Sequence, residues 1–250
     1  MNQFVKNVER IEFAVTFACT GKCRHCSEGD HLGHRGHIDT DAAVRAVRDI
    51  CANFDIRSLM TFGGEPLLYP ETTLAIHRVA SELGIPSRQL ITNGYFSRDE
   101  KTIARIAHEI AEAGVNDLLL SVDAFHQETI PLETVRKFAE CLLKEGVPVR
   151  LSPAWLVSRE DANPYNEKTR EIIVELQDLQ IPLGNGNVIF PSGNALKYLS
   201  DYLDPDMVSP YEDDPEDLRA ISFGPTGEVD ILGGNICETP IMDIVGAYIP

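Results

Sequence analysis

The sequence predicts an α/β protein built on a parallel sheet. Three observations carry this. Strand-like and helix-like apolar patterns alternate six times up to Phe190. Glycines end the helical patterns, at Gly84, Gly114 and Gly146, and the connections are short. Leu118-Leu-Leu is a nearly continuous apolar run, as in strands covered on both faces. Such alternation calls for parallel strands joined by right-handed crossovers. Six units are too few to close an eight-stranded barrel, so the pattern allows an open barrel or a doubly wound sheet.

Each element follows from its residues. Ile11 to Phe17 alternates, with Ile11, Phe13 and Val15 on one side, and is strand one. Asp39 or Thr40 caps a helix whose Ala43, Val47, Ile50 and Cys51 recur at helical spacing. Ile56 to Phe62 is strand two. Pro70 opens a helix with Ile76, Val79, Ala80 and Leu83 on one face. Gln89 to Thr92 is strand three, and Ser97 with Glu100 forms a capping box for the next helix, which buries Ile103, Ile106 and Ile110. Asp117 to Val122 is strand four. A helix from Pro131 carries Val135, Phe138, Cys141 and Leu142. Val147 to Leu151 is strand five, a helix spans Tyr165 to Leu179, and Asn187 to Phe190 is strand six. Beyond it the rhythm changes: a short helix over 194–203, an acidic Pro-containing loop over 204–218, then two short strands around a turn at Gly224-Pro-Thr-Gly227.

A length of 250 residues suffices for one large α/β core. The net charge of −17 argues against a nucleic-acid partner, which needs basic stripes, and suits a cationic or neutral one. Six cysteines in this length do not form a disulfide scaffold; Cys51 and Cys141 read as small hydrophobes on helix faces. The start, Met1-Asn-Gln-Phe-Val-Lys-Asn, lacks a signal-peptide apolar core, and no run approaches membrane-spanning length. The expectation is a cytoplasmic protein with no membrane partner.

The chemistry concentrates in Cys19-Thr-Gly-Lys-Cys23-Arg-His-Cys26, directly after strand one. Thiols spaced this closely can converge on one inorganic centre. A four-iron cluster normally takes four cysteines. No fourth is near, so one iron keeps an open position, where metals do chemistry. The rival is a non-catalytic binding module with tetrahedral zinc on Cys23, Cys26, His31 and His34, which leaves Cys19 unused. His31, His34 and His37 otherwise read as exposed loop residues.

Loops after the C-terminal ends of β/α strands build active sites. After strand two, Gly63-Gly64-Glu65-Pro66 lets backbone approach a ligand closely and then fixes the chain. After strand three, Thr92-Asn93-Gly94 offers a hydroxyl and an amide on a turn. After strand four, Ser121 and Asp123 share one side of extended chain and need polar partners; His126 follows as a candidate facing substrate. Ser152 follows strand five, and Val188 and Ile189 lie in strand six.

The C-x3-C-x2-C triplet, with GGEP some forty residues later at a strand end, resembles the radical S-adenosylmethionine (SAM) enzymes. The resemblance implies a partial (β/α)6 TIM-like barrel over residues 1–195 with a C-terminal extension, 196–250, packed on it. It implies one [4Fe-4S] cluster held by Cys19, Cys23 and Cys26, with SAM on the fourth iron. Gly63, Gly64, Glu65 and Pro66 then bind the SAM amino group. Thr92 and Asn93 lie beside SAM, Ser121 and Asp123 bond its ribose or carboxylate, and Ser152 is a further contact. Val188 lies against adenine, as does His25, where most members have an aromatic residue.

The implied activity is reductive SAM cleavage to a 5′-deoxyadenosyl radical that takes hydrogen from a substrate. That substrate is a peptide or protein; the alternatives are a small molecule and activation of a glycyl radical enzyme. The electron donor is of the flavodoxin or ferredoxin kind. The segment Gly227-Glu-Val-Asp-Ile-Leu-Gly-Gly-Asn-Ile-Cys237 resembles the start of a SPASM or twitch extension without its cysteines. A single cluster is therefore expected. Cys237 is either a hydrogen-atom donor to a substrate radical or a buried structural cysteine.

Overall fold

A computed structural model describes residues 2–31, 33–204 and 206–250. Met1 of the expected leaderless start, Leu32 of the histidine connector and Pro205 of the acidic loop lie outside the described residues.

Five strands follow the expected order: β1 (Arg10–Thr16), β2 (Ser58–Gly63), β3 (Ser87–Thr92), β4 (Asp117–Leu120) and β5 (Val149–Leu151). They pair in parallel, with Ile11 opposite Leu59, Leu90 opposite Leu118, and Leu118 opposite Val149. Between them run α1 (Thr40–Cys51), α2 (Pro70–Glu82), α3 (Glu100–Glu112), the single turn α4 (Ala124–Gln127) and α5 (Leu132–Lys144). The architecture is α/β, a partial TIM-like barrel on a parallel sheet of six strands.

The sixth strand of that sheet is not the expected one. After β5, Pro153 has no N–H to offer and the ladder breaks. The chain continues as β6 (Ala154–Trp155), which pairs in parallel with β7 (Asn187–Val188) in a separate two-stranded ribbon. Expected strand six is thus reduced to β7, and one bridge, Leu151 to Leu183, ties its approach to β5. The sixth place is taken at the opposite edge by β8 (Ala220–Phe223), which lies parallel to β1. Of the two tail strands expected, only β8 forms; its return leg makes isolated antiparallel bridges, Phe223 to Val229 and Glu228 to Asn235.

Strand alternation sends Ile11, Phe13 and Val15 under α1 and α2, where they join Val47, Ile50, Ile76 and Val79. The tail supplies Ile221, Phe223, Val229, Ile241 and Val245 to this same cluster, the last two from α8 (Ile241–Ala247). Phe13 and Phe223 stack with centroids 4.7 Å apart. A second cluster joins Leu90, Leu118, Leu120 and Leu151 to α3, α5 and α6 (Pro164–Glu175). On the opposite sheet face Glu12, Met60, Gln89 and Asp117 form one mostly polar row across four strands. There Asp117 accepts from Gln89 at 2.7 Å and from Arg150 Nε and Nη2 at 2.8 and 2.7 Å.

Asp39 caps α1, accepting from Ala42 N. The α3 cap is Asp99, whose carboxylate accepts from Thr102 N at 2.9 Å, not the expected Ser97–Glu100 box. Two candidate caps lie two residues apart, and the carboxylate answers the helix dipole better than a hydroxyl. The expected helix over 194–203 is α7 (Gly193–Tyr198) followed by a 3-10 turn at Ser200–Tyr202.

Candidate active site

The three cysteines are free thiols, and all three line one cleft above the C-terminal ends of the strands. The loop that carries them is closely fitted. Gly21 sits between two of them: a Cβ there would lie 3.2 Å from Cys23 Sγ and 3.7 Å from Cys19 Sγ. Gly193, at φ +47°, backs the loop from outside, and a Cβ on it would meet Ser27 O at 2.3 Å. Asn194 donates its side-chain amide to the carbonyls of Cys23 and Gly29, both at 3.1 Å. The start of α7 therefore clasps the cysteine loop, a role that Gly193-Asn194 gave no sequence signal for.

Gly63 and Gly64 face the cleft and also press on the chain just before the cysteines. A Cβ on Gly63 (φ +129°) would lie 2.3 Å from Thr16 O, and one on Gly64 would lie 2.2 Å from Ala18 O. Only glycine allows that approach. Thr92, Asn93, Ser121, Ser152, Val188 and Ile189 line the same cleft, as do His25 and His126.

Other predicted residues lie behind its wall. Glu65 is fully buried and accepts from Leu67 N at 2.9 Å, Thr92 Oγ1 at 2.8 Å and Asn93 N at 2.8 Å. It fixes the Thr92-Asn93 turn. Burial pushes its pKa up to about 7 against these hydrogen bonds. Pro66 is buried beneath the turn, its carbonyl accepting from Thr73 Oγ1. Asp123 is also fully buried. It accepts from Phe125 N, His126 N and Ala154 N, and from His126 Nδ1 at 2.7 Å. Burial alone would raise its pKa, but His126 and these donors hold it below the usual carboxylate range. Burial likewise works against the charged form of His126, and Asp123 more than offsets it, so the His126 pKa is raised. Cys237 is exposed in the hairpin after β8, beside Thr226, and does not line the cleft.

Sequence reasoning missed Phe62, Ile91, Phe190 and Tyr211, which give the cleft its apolar walls. Their signal was present for Phe62 and Ile91, which alternate with helix-facing neighbours near the strand ends. Tyr211, inside the acidic loop, had none.

The donor set fits an iron–sulfur cluster better than a single zinc. Among the described residues, the group of three ligands whose atoms lie within 4.8 Å of one another is Cys23, His25 and His126. The zinc set of Cys23, Cys26, His31 and His34 is not assembled in this way. His31 Nε2 does lie 3.1 Å from Cys26 Sγ, with Nδ1 on Phe17 O at 2.6 Å, but His34 is exposed and does not join them. The three cysteines need no common contact, because a cluster presents a separate iron to each sulfur. Burial pushes Cys19 up to about 12 and Cys23 well above the usual thiol value, so the metal-free protein holds neutral thiols in an apolar site.

The radical SAM superfamily matches residues 13–182, more than half of the chain. The chain belongs to the radical SAM superfamily. It is an enzyme of that family, whose members bind a [4Fe-4S] cluster and SAM; here Cys19, Cys23 and Cys26 are the residues that fit the cluster. A protein named "Probable GTP 3′,8-cyclase" from Saccharolobus islandicus (strain L.S.2.15 / Lassen #1) is 25% identical over 219 residues, 82% of this chain and 67% of that one. The GTP 3′,8-cyclase of Chlorobaculum tepidum is 25% identical over 191 residues, 72% of this chain and 56% of that one. In structure the radical SAM chain is similar to Streptococcus suis SuiB bound to S-adenosylmethionine (TM-score 0.61, 15% identity, 96% of this chain and 66% of that one). It is also similar to native anSMEcpe with bound AdoMet and Cp18Cys peptide (TM-score 0.59, 16% identity, 94% of this chain and 80% of that one). The chain thus spans about two-thirds of the length of the first of these relatives. Among the described residues no helix is long and apolar enough to cross a membrane.

Proposed function

We propose that this radical SAM enzyme cleaves SAM reductively and directs the radical at a carbon–hydrogen bond of a peptide. The observation that carries the first part is that the free cysteines and the Gly63–Gly64 bend line the same cleft. The chemistry supplied by the cluster with SAM, when bound, is one-electron cleavage to methionine and a 5′-deoxyadenosyl radical that removes a hydrogen atom. The chain's own part is to bind, orient and exclude water. Cys19, Cys23 and Cys26 hold the cluster. Gly63 and Gly64 allow backbone to approach the SAM amino group, and Ser121 and Ser152 offer hydroxyls. Phe62, Ile91, Val188 and Phe190 keep the radical from water. An electron donor of the flavodoxin or ferredoxin kind completes the system.

The peptide reading rests on charge. Among the described residues lining the cleft there is no Lys or Arg, so nothing there matches a triphosphate. From Asp201 to Asp217 the sequence holds eight acidic residues and no Lys or Arg, and Tyr211 of that segment lines the cleft. A basic peptide suits such a mouth. The anSMEcpe structure, with its bound peptide, supports the same reading. The relatives named GTP 3′,8-cyclase favour a nucleotide instead, so both belong in the test.

The protein is purified without oxygen, supplied with iron and sulfide, and given SAM and dithionite. The expected outcome is a brown protein that releases 5′-deoxyadenosine, with yield increased by Lys/Arg-rich peptides and not by GTP. A colourless protein holding one zinc and releasing none would reject the enzyme reading. Stimulation by GTP alone would reject the peptide.

A further inference from the structure

Asn93 carries an inference beyond its expected place beside SAM. Its side chain is buried, and its own turn settles which end faces the cysteine loop. Tyr95 N donates to Asn93 Oδ1 at 2.8 Å, which assigns the oxygen; Thr20 Oγ1 lies 3.5 Å from that oxygen and closer to the amide nitrogen. That nitrogen, Nδ2, lies 3.2 Å from Thr20 Oγ1 and 3.5 Å from Cys19 Sγ. The turn is held from behind by buried Glu65, which accepts from Asn93 N and Thr92 Oγ1. A second donor, Gly21 N, reaches the same sulfur at 3.3 Å.

We propose that Asn93 tunes the cluster, its amide donating an N–H···S hydrogen bond to Cys19 and so raising the potential of the one-electron couple. This rests on the reading of Cys19 as a cluster ligand. The physical reason is a difference in charge. An added electron makes the ligating sulfurs more negative, so a fixed donor stabilises the reduced form more than the oxidised one. The contact lies in a buried, poorly screened place, which strengthens it. An amide keeps both its protons at every working pH, so the effect does not depend on a titration. It also gives Glu65 a purpose within the GGEP motif: the carboxylate holds the turn that holds the donor.

The test uses the reconstituted protein with no SAM and no substrate. The midpoint potential is read by EPR during titration with dithionite, the electron source. In Asn93→Leu the donor is gone, and the potential falls below wild type. In Asn93→Asp, of the same size and still able to accept from Tyr95, it falls further, because a carboxylate replaces the donor. Wild-type protein labelled with 15N in its asparagine side-chain amides shows a 15N coupling to the reduced cluster, and Asn93→Leu does not. An unchanged potential in Asn93→Leu overturns the proposal. Should that variant take up no iron, an unchanged potential in Asn93→Asp does so, and so does a wild-type cluster without the 15N coupling. A wild-type protein that assembles no cluster fails differently: it removes the cluster reading itself.

Discussion

Gly64 shows most clearly how a residue's environment differs from its motif. The motif marks it as a place where a ligand approaches backbone. The structure adds that the Ala18 carbonyl already occupies the space a methyl group would need, at 2.2 Å. Gly64→Ala is therefore expected to cost about 1–3 kcal/mol of stability through backbone displacement and to lower iron uptake. Urea unfolding and iron analysis of the same preparation check both. Glu65 and Asp123 make the converse point. Resemblance assigned them to SAM, and both are fully buried acceptors that hold neighbouring turns. A motif marks the loop; the fold shows which of its side chains are buried in holding it. His77, far from the cleft, predicts a pH effect. It lies on the buried face of α2 with Nε2 on Thr61 Oγ1 at 2.8 Å, and burial lowers its pKa to about 3. The folded protein keeps it neutral while the unfolded chain binds a proton below about pH 6.5. Its contribution is full above that pH and is lost as pH falls toward 3, at about 1.4 kcal/mol per unit. Urea midpoints between pH 7 and pH 4.5 should fall more steeply in wild type than in His77→Gln; parallel curves would refute this.

Among elements, the helices were the most legible, because capping and 3.6-residue spacing are local. α1, α2, α3 and α5 lie where the pattern placed them, and the misassigned cap of α3 shows the limit. Asp99→Ala should lower the urea midpoint clearly, and Ser97→Ala much less, in chemical denaturation. Equal losses would restore the capping box. Strand six failed for a different reason. Asn187 to Phe190 has the composition of a strand, but whether it joins a ladder depends on its neighbour, and Pro153 interrupts that neighbour. Pairing is a property of two segments, so one segment's pattern cannot decide it. α4 and α8, of four and seven residues, are too short for their pattern to stand out from the surrounding loops.

For the whole molecule, the expected division at residue 195 needs testing against the core. β8 lies in the main sheet beside β1, and the tail contributes Ile221, Phe223, Ile241 and Val245 to the cluster under α1 and α2. A chain ending at residue 195 would bare the β1 edge and that apolar face. It is expected to be insoluble or to lose cooperative unfolding, read by circular dichroism during heating. A soluble, cooperatively melting fragment would support 1–195 as a domain with 196–250 as an extension.

The α/β class, the superfamily, the cysteine triplet and the glycine bend are legible in the residues alone. These rest on local spacing and on backbone freedom, which neighbours in the chain settle between themselves. Folding alone brings the tail into the sheet, buries Glu65 and Asp123 among hydrogen-bond donors, and sets the Asn93 amide near Cys19. Those outcomes depend on which distant segments lie close enough to exchange hydrogen bonds or exclude water, and no spacing along one strand of chain records that.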